Sequence, residues 1–215
     1  MKVELLDIMG NDLVVCDAAR CSFDKKSSLD DYGNLSERDV RLINYLAEHN
    51  HFTPFTHPQA SFRVTAPFFT ARQLFKHQVG GTINEVSRRY VDTPPVFDIP
   101  TKWRKRAENI KQGSSDESIN VDRALQHMID DTMERVELLY RDLLMLGVCP
   151  EQARSVLPMC TETTWIWTGS LYFFARVCNL RLDPHAQRET AEVAKEIDKH
   201  MAYEFPVSWS ALRHV

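Results

Sequence analysis

The residues with the greatest capacity for chemistry lie in one nineteen-residue stretch that runs from Arg72 to Tyr90. This stretch combines cationic side chains with a carboxylate, an imidazole, carboxamides and hydroxyls. An apolar segment over residues 66–71 leads into it, and the pair Gly80–Gly81 interrupts it. We therefore expect a helix from about Pro67 that breaks at the two glycines. A buried helix that carries charged groups to a glycine break can form a pocket for a charged, planar ligand.

Three arginines are candidate anion-binding residues. Arg88 and Arg89 stand beside Ser87 and offer bidentate donors to a phosphate or a carboxylate. The alternative for this pair is two solvated surface charges. Arg181 lies between apolar neighbours, just before a predicted helix N-terminus, where a guanidinium can stabilise an anion formed during a reaction. Its alternative role is a structural ion pair with Asp183.

The sequence gives little support for a metal site, an acyl-enzyme or a nucleoside triphosphatase. His49, His51 and His57 include an H-x-H spacing that can bind zinc, but a predicted helix end and Pro54 separate them, and no fitting cysteine or acid follows. We predict no metal site. The chain contains no G-x-S-x-G motif and no P-loop, so nothing favours an acyl-enzyme or a nucleoside triphosphatase.

The composition indicates which broad class of protein this chain belongs to. The formal net charge is -4 and hydrophobic residues make up 43% of the 215 residues, which favours a globular protein without the basic field needed for a nucleic-acid polymer. The sequence has no long apolar run and no signal-peptide pattern, so we expect no membrane association. Five cysteines without a C-x-x-C spacing indicate reduced thiols and a cytoplasmic location.

Hydrophobic periodicity predicts the elements that must position these residues. We expect strands over residues 3–8, 59–65 and 161–168. Helices are predicted over residues 12–20, 36–50, 67–79, 121–146, 151–157, 170–179 and 183–205, and a polar loop over 111–118. Asn11 and Ser36 are the expected caps of the first two helices. No linker or repeat divides the chain, which predicts a single α+β domain over residues 1–215, with an antiparallel or mixed sheet packed against long helices.

Several short motifs, taken in order and spacing, resemble those of the flavin-dependent thymidylate synthase family along nearly the whole chain. The matching stretches are Gly10–Asp12, Ala18–Asp24, Thr53–His57, Ala71–His77, Asn84–Tyr90, Val156–Pro158 and Asn179–Gln187. The resemblance implies an FAD-dependent methyltransferase that converts dUMP to dTMP with methylenetetrahydrofolate as carbon donor. It also implies that NADPH reduces the FAD and that a homotetramer shares its active sites between subunits.

The same resemblance assigns roles to individual residues. The cofactor-binding residues would be Thr53, Lys76, His77, Gln78, Asn84, Glu85, Ser170, Tyr172, Arg176 and His185. The residues that bind the nucleotide would be Gln73, Lys76, Glu85, Val86, Ser87, Arg88, Arg89 and Arg181. Arg181 would be catalytic, because a positive charge beside N3 of the pyrimidine makes C5 electron-rich enough to attack the one-carbon unit of the folate. Ser87 would bind rather than attack, since no base stands beside it to activate its hydroxyl.

The chain departs from the family signature, which reads Arg-His-Arg, seven residues and then Ser. Here Lys76-His77-Gln78 is followed by eight residues before Ser87. Lysine replaces a bidentate fork by a point charge, and Gln78 removes a positive charge expected near the flavin. A further nucleotide-contacting arginine of the family falls on Thr164. Two alternatives therefore stay open: a related pyrimidine-nucleotide modification (hydroxymethylation, or a cytosine nucleotide as substrate), and a flavin- or nucleotide-binding homologue without turnover.

Overall fold

The computed structural model describes residues 1–107 and 114–213. Its strands are β1 (Lys2–Met9), β2 (Gln59–Pro67), β3 (Gly81–Glu85), β4 (Trp103–Arg106), β5 (Ser114–Ile119) and β6 (Glu162–Ser170). Its helices are α1 (Asp12–Arg20), α2 (Glu37–Glu48), α3 (Phe68–Leu74), α4 (Arg123–Met145), α5 (Pro150–Ala153), α6 (Leu171–Arg181), α7 (Arg188–Glu204) and α8 (Pro206–Leu212).

Four strands form an antiparallel sheet in the order β1-β2-β6-β3. Side chains alternate between its two faces, so Phe62 and its partner Trp167 are fully buried on the inner face. On the outer face, the hydroxyls of Ser61 and Thr168 lie 2.8 Å apart. The structure confirms the predicted α+β class, and the sheet is antiparallel rather than mixed.

Helices cover the inner face of this sheet and enclose the hydrophobic core. The helix α6 buries Phe174 and Val177, and α7 buries Val193, Ile197 and Met201, which confirms the inward face predicted for that last helix. A helix with one apolar stripe must bury that stripe against a sheet or another helix. The hydrophobic core therefore holds α6 against the inner face of the four-stranded sheet.

Local caps explain why several helices begin where they do. The side chain of Asn11 accepts a hydrogen bond from the backbone N–H of Leu13, and Ser36 accepts one from Asp39, which confirms both predicted caps. Asp122 caps α4 in the same way by accepting from the backbone N–H of Leu125. These caps satisfy N–H groups that have no partner within the helix.

Two helix boundaries differ from the sequence prediction. The helix α3 ends at Leu74, well before the glycine pair, and Gly81 instead opens β3. Gly80 adopts a φ of +91°, and this conformation leads the chain into β3 and its pairing with β6. The last long helix begins at Arg188 rather than Asp183, because the carboxylate and carbonyl of Asp183 accept hydrogen bonds from the next residues in a turn.

Two further differences concern the second half of the chain. The helix α8 was not predicted, and Pro206 starts it at a break after Phe205. The predicted polar loop is wrong over residues 114–118, which belong to β5 and pair with β4. Residues 111–113 of that loop lie outside the described residues.

The helix α4 confirms the long helix predicted over residues 121–146, but Tyr140 is its only buried residue and its other apolar side chains are exposed or half-buried. Leu139 is 48% exposed, Met128 63% and Met145 70%. An apolar stripe of this size normally packs against another surface. Within the described residues, no helix has the length and apolar character that crossing a membrane requires.

Candidate active site

A cavity of about 730 Å³ lies where the end of β3 meets α3 and the segment after α5. It is lined by Phe68, Ala71, Arg72, Phe75, Glu85, Val86, Ser87, Arg88, Glu151, Arg154, Ser155, Leu157 and Met159. Its wall therefore combines arginine side chains, two carboxylates and two serine hydroxyls with apolar surface. A mixed lining of this kind suits a ligand that has both an anionic group and a flat ring.

Backbone and side-chain contacts hold the segment after β3 against this cavity. The carboxylate of Glu85 accepts a hydrogen bond of 2.7 Å from the hydroxyl of Thr163 on β6. The backbone N–H of Val86 donates to the carbonyl of Thr164 at 2.8 Å. The carbonyl of Ser87 then accepts from the N–H groups of residues 90 and 91, which forms a turn. Four predicted nucleotide-binding residues, Glu85 to Arg88, are thus brought together on one wall.

The neighbouring arginines Arg88 and Arg89 have different environments. The guanidinium of Arg88 donates to the carbonyl of Thr93 and lies over the ring of Tyr140, 6.0 Å from its centroid. Arg89 does not line the cavity and pairs with Glu151 at 3.3 Å, with both side chains about half exposed. The alternative of two solvated surface charges is therefore wrong for Arg88, whose side chain is held by specific contacts.

Arg181 and His77 form a second group of predicted site residues. The Nε–H of Arg181 donates to Nε2 of His77 at 2.9 Å. Arginine is a donor only, so this imidazole is neutral at Nε2 and carries its proton on Nδ1. Burial, followed by the positive charges of Arg181 and Arg176, lowers the pKa of His77 to about 4.

The surroundings predicted for Arg181 are wrong in two respects. Arg181 is the last residue of α6 and does not precede a helix N-terminus, because α7 begins only at Arg188. The carboxylate of Asp183 accepts from the backbone N–H of His185 instead of pairing with Arg181. Partial burial lowers the pKa of Arg181, and the side chain keeps its guanidinium beside a neutral imidazole.

The N-terminal part of α6 contributes three further predicted residues. Ser170 caps the helix by accepting from the N–H of Phe173 at 3.1 Å, and its own N–H donates to the carbonyl of Gly80. The guanidinium of Arg176 lies 6.0 Å from the ring centroid of Tyr172. A shallow cavity of about 380 Å³ lies beside Ser170 and is lined by Thr56, Gln59, Gly80, Gly81, Thr82, Thr168, Gly169 and Ser170. Three of these lining residues are glycines.

The remaining predicted residues do not line the large cavity. Thr53 lies in a one-turn 3-10 helix (Thr53–Thr56) and is exposed, as are Lys76, Gln78, Asn84 and His185. Gln73 is half-buried, and its side-chain oxygen has no hydrogen-bond partner within the described residues. The structure thus divides the predicted set into a cavity wall, the His77–Arg181 pair with the start of α6, and a dispersed remainder.

Part of the cavity lining was not among the site residues predicted from the sequence. Arg154 and Ser155 lie in the turn after α5, and Leu157 and Met159 follow them. A signal was present, since the motif Val156–Pro158 was one of the matching stretches and its central residue Leu157 lines the cavity. Arg154 has no apolar periodicity to mark it, and only the tertiary structure shows that it lines the cavity.

Comparisons with known proteins agree on one family. A sequence profile described as "Thymidylate synthase complementing protein" matches residues 4–207. A flavin-dependent thymidylate synthase from Thermosipho africanus is 39% identical over 198 residues, which cover 91% of this chain and 83% of that protein. One from Thermus thermophilus is 34% identical over 209 residues, covering 97% and 74%.

Solved structures give the same result at the level of the fold. The UMP/dUMP methylase PolB from Streptomyces cacaoi, bound with 5-Br dUMP, superimposes with a TM-score of 0.82 at 30% identity. The match covers 98% of this chain and 93% of PolB. The same protein bound with 5-Br UMP superimposes with a TM-score of 0.81 at 28% identity.

Proposed function

The chain belongs to the thymidylate synthase complementing protein family, and from this premise we propose that it is an FAD-dependent methyltransferase that converts dUMP to dTMP. The observation that carries the proposal is the wall Glu85–Arg88, which lines the large cavity together with Arg154. A nucleoside monophosphate has both an anionic phosphate and a flat ring, and this cavity offers arginine donors and apolar surface to match them. The naming of relatives as flavin-dependent thymidylate synthases supports the same reaction.

In this proposal the nucleotide is held by the wall residues and activated by Arg181. Arg88 and the hydroxyl of Ser87 bind the nucleotide, with Arg89 and Gln73 as further contacts. Ser87 does not attack the pyrimidine, because its hydroxyl accepts from the N–H of Arg89 and contacts no base among the described residues. The guanidinium of Arg181 stabilises the pyrimidine with N3 deprotonated, which makes C5 nucleophilic toward the one-carbon unit.

The residues at the start of α6 and around His77 fit a flavin. A dinucleotide needs cationic donors for its diphosphate and hydrogen-bond donors for its ring carbonyls, and Arg176 and the Nδ1–H of His77 offer both. The residues proposed to hold FAD are Thr53, Lys76, His77, Gln78, Asn84, Glu85, Ser170, Tyr172, Arg176 and His185. When bound, reduced flavin supplies the hydride that completes the methyl group.

The proposal also covers the co-substrates and the oligomeric state. Methylenetetrahydrofolate would donate the carbon, and NADPH would reduce the flavin. A homotetramer with shared active sites is supported by two observations. The apolar side chains of α4 are exposed in the single chain, and Arg181 contacts His77 rather than the lining of the large cavity. We infer that Arg181 of one subunit completes the site formed by the wall of another.

Product analysis by mass spectrometry tests this function. The purified protein is incubated with FAD, NADPH and methylenetetrahydrofolate, and with dUMP, UMP or dCMP as the nucleotide. UMP is included because PolB is described as a methylase of both UMP and dUMP. We expect dUMP to gain one methyl group and the purified protein to absorb as a flavoprotein. A hydroxymethyl product, or modification of dCMP alone, would replace the proposed reaction by one of its alternatives, and a colourless protein without product would refute both.

A further inference from the structure

The burial of Tyr140 is unusual for its helix. Tyr140 is only 1% exposed and is the single buried residue of α4, a helix that the structure describes in full. The adjacent Leu139 is 48% exposed, and Leu146 is 82% exposed. A helix that leaves its leucines in contact with solvent and buries a tyrosine does so because something specific covers that one position.

The hydroxyl of Tyr140 does not account for this burial. Its oxygen is buried and forms no hydrogen bond within the part of the chain that the structure describes. A buried tyrosine hydroxyl usually has a partner, and an unpaired one is unfavourable. The favourable contact must therefore come from the aromatic ring.

The ring of Tyr140 faces the guanidinium of Arg88. The distance from Cζ of Arg88 to the ring centroid is 6.0 Å, within the range of a cation–π interaction. A second contact holds the same guanidinium, since Arg88 donates to the carbonyl of Thr93. Arg88 also lines the large cavity. Two contacts thus restrict a long, flexible side chain at the place where the nucleotide is proposed to bind.

We propose that Tyr140 is a positioning residue that orients the Arg88 guanidinium toward the nucleotide. An arginine side chain loses rotamer freedom when it binds a ligand, and a side chain that is already restrained loses less. The ring of Tyr140 therefore raises the affinity for the nucleotide without contacting it. This inference rests on the proposed function, because it takes the occupant of the cavity to be a nucleotide.

Two substitutions of Tyr140 separate the ring from the hydroxyl. Tyr140→Leu removes the aromatic face, and we expect it to raise KM for dUMP about fivefold while kcat changes less than about twofold. Tyr140→Phe keeps the face and removes only the unpaired hydroxyl, so KM should stay within about twofold of the wild-type value. An unchanged KM for Tyr140→Leu, or an equal rise for Tyr140→Phe, would overturn the inference.

A double-mutant cycle with Arg88 then tests whether Tyr140 acts through that arginine. Arg88→Ala should raise KM, and adding Tyr140→Leu to Arg88→Ala should raise it no further. If the two effects multiply instead, Tyr140 acts by general packing and the inference is wrong. A wild-type KM for Tyr140→Phe in the same assay would show that the effect of Tyr140→Leu comes from loss of the aromatic ring and not from misfolding of α4.

The same cycle can be measured without any reaction. Thermal unfolding of the four proteins in the absence of nucleotide should give midpoint shifts that are less than additive, because Arg88 and Tyr140 contact each other. Additive shifts would overturn the inference even if the enzyme methylates dUMP. A wild-type protein that gives no methylated nucleotide would refute the proposed function instead. Calorimetric titration with dUMP and UMP would then provide the affinities for the cycle, and a wild-type protein that binds neither nucleotide would overturn the inference as well.

Discussion

The Nε–H of Arg181 donates to Nε2 of His77 across 2.9 Å, although 104 positions of sequence separate the two residues. The contact joins the end of α6 to the turn after α3, and each of these two segments carries one of the matching family motifs. It also determines the protonation state of His77, because an arginine donor requires an unprotonated acceptor nitrogen on the imidazole. A cationic His77 would oppose Arg181 rather than hold it.

Replacing Arg181 tests its proposed catalytic role. Arg181→Ala should lower kcat with dUMP by about a hundredfold or more, because a donor that stabilises a developing anion is removed. The flavin absorbance of the purified variant should be retained. Arg41→Ala, on an exposed position of α2, is the matched control and should leave kcat unchanged. Turnover at the wild-type rate in Arg181→Ala would rule out the proposed role.

The depressed pKa of His77 makes stability depend on pH in a defined window. The pKa lies at about 4 in the folded protein and at the ordinary value of 6.5 in the unfolded chain. Between these values the unfolded chain binds a proton and the folded one does not, so stability falls as the pH is lowered from 6.5 toward 4. His77→Gln cannot titrate, and its unfolding midpoint should therefore decrease less over that window. Parallel midpoint curves for the two proteins would contradict the assignment.

Arg154 should contribute to nucleotide affinity, because it lines the same cavity as the wall Glu85–Arg88. Arg154→Ala should raise KM for dUMP about tenfold or more through the loss of a charge-assisted hydrogen bond. Arg154→Lys should recover only part of the affinity, since lysine lacks the bidentate fork. Steady-state kinetics of both variants provide the measurement. Equal KM values for Arg154→Ala and the wild type would exclude this arginine from the site.

Gly81 is required by the packing of Phe173 against the sheet. A Cβ at Gly81 would lie 2.5 Å from Cζ of Phe173, and one at its strand partner Gly169 would lie 2.2 Å from the same ring. Gly81→Ala should therefore lower the free energy of unfolding by about 1–3 kcal/mol through overpacking. Thr82→Ala, at the exposed neighbouring position of β3, should cost less than Gly81→Ala in urea unfolding. The prediction fails if both variants unfold at the same midpoint.

The exposed apolar side chains of α4 predict an effect on assembly. Met128→Glu places a charge on this stripe, where Met128 is 63% exposed in the single chain. If the stripe lies between subunits, the buried charge disfavours association, and light scattering should report a smaller assembly. Tyr32→Glu alters a residue that is 90% exposed outside α4 and should leave the mass unchanged. A wild-type mass for Met128→Glu would place the subunit contact elsewhere.

Local sequence signals determined much of the fold and part of the site. Alternation in Ala60, Phe62 and Val64 predicted β2, and the caps Asn11 and Ser36 predicted the starts of α1 and α2. These patterns predict secondary structure because the periodicity of side chains and the capping of helices depend only on residues close in sequence. The motif order likewise identified the family to which the chain belongs.

Only the tertiary structure decided where the site residues meet. A helix was predicted to start at Asp183, but this residue accepts hydrogen bonds in a turn. The glycine pair was predicted to end a helix, but Gly81 pairs with β6 as part of a strand. Arg154 carries no local signal, and its position on the cavity wall follows from packing between distant segments. The sequence by itself determined the family, three strands of the main sheet and the longer helices, through patterns of short range. The partner of Arg181 and the ring that covers Arg88 depend on long-range contacts, which no local pattern encodes.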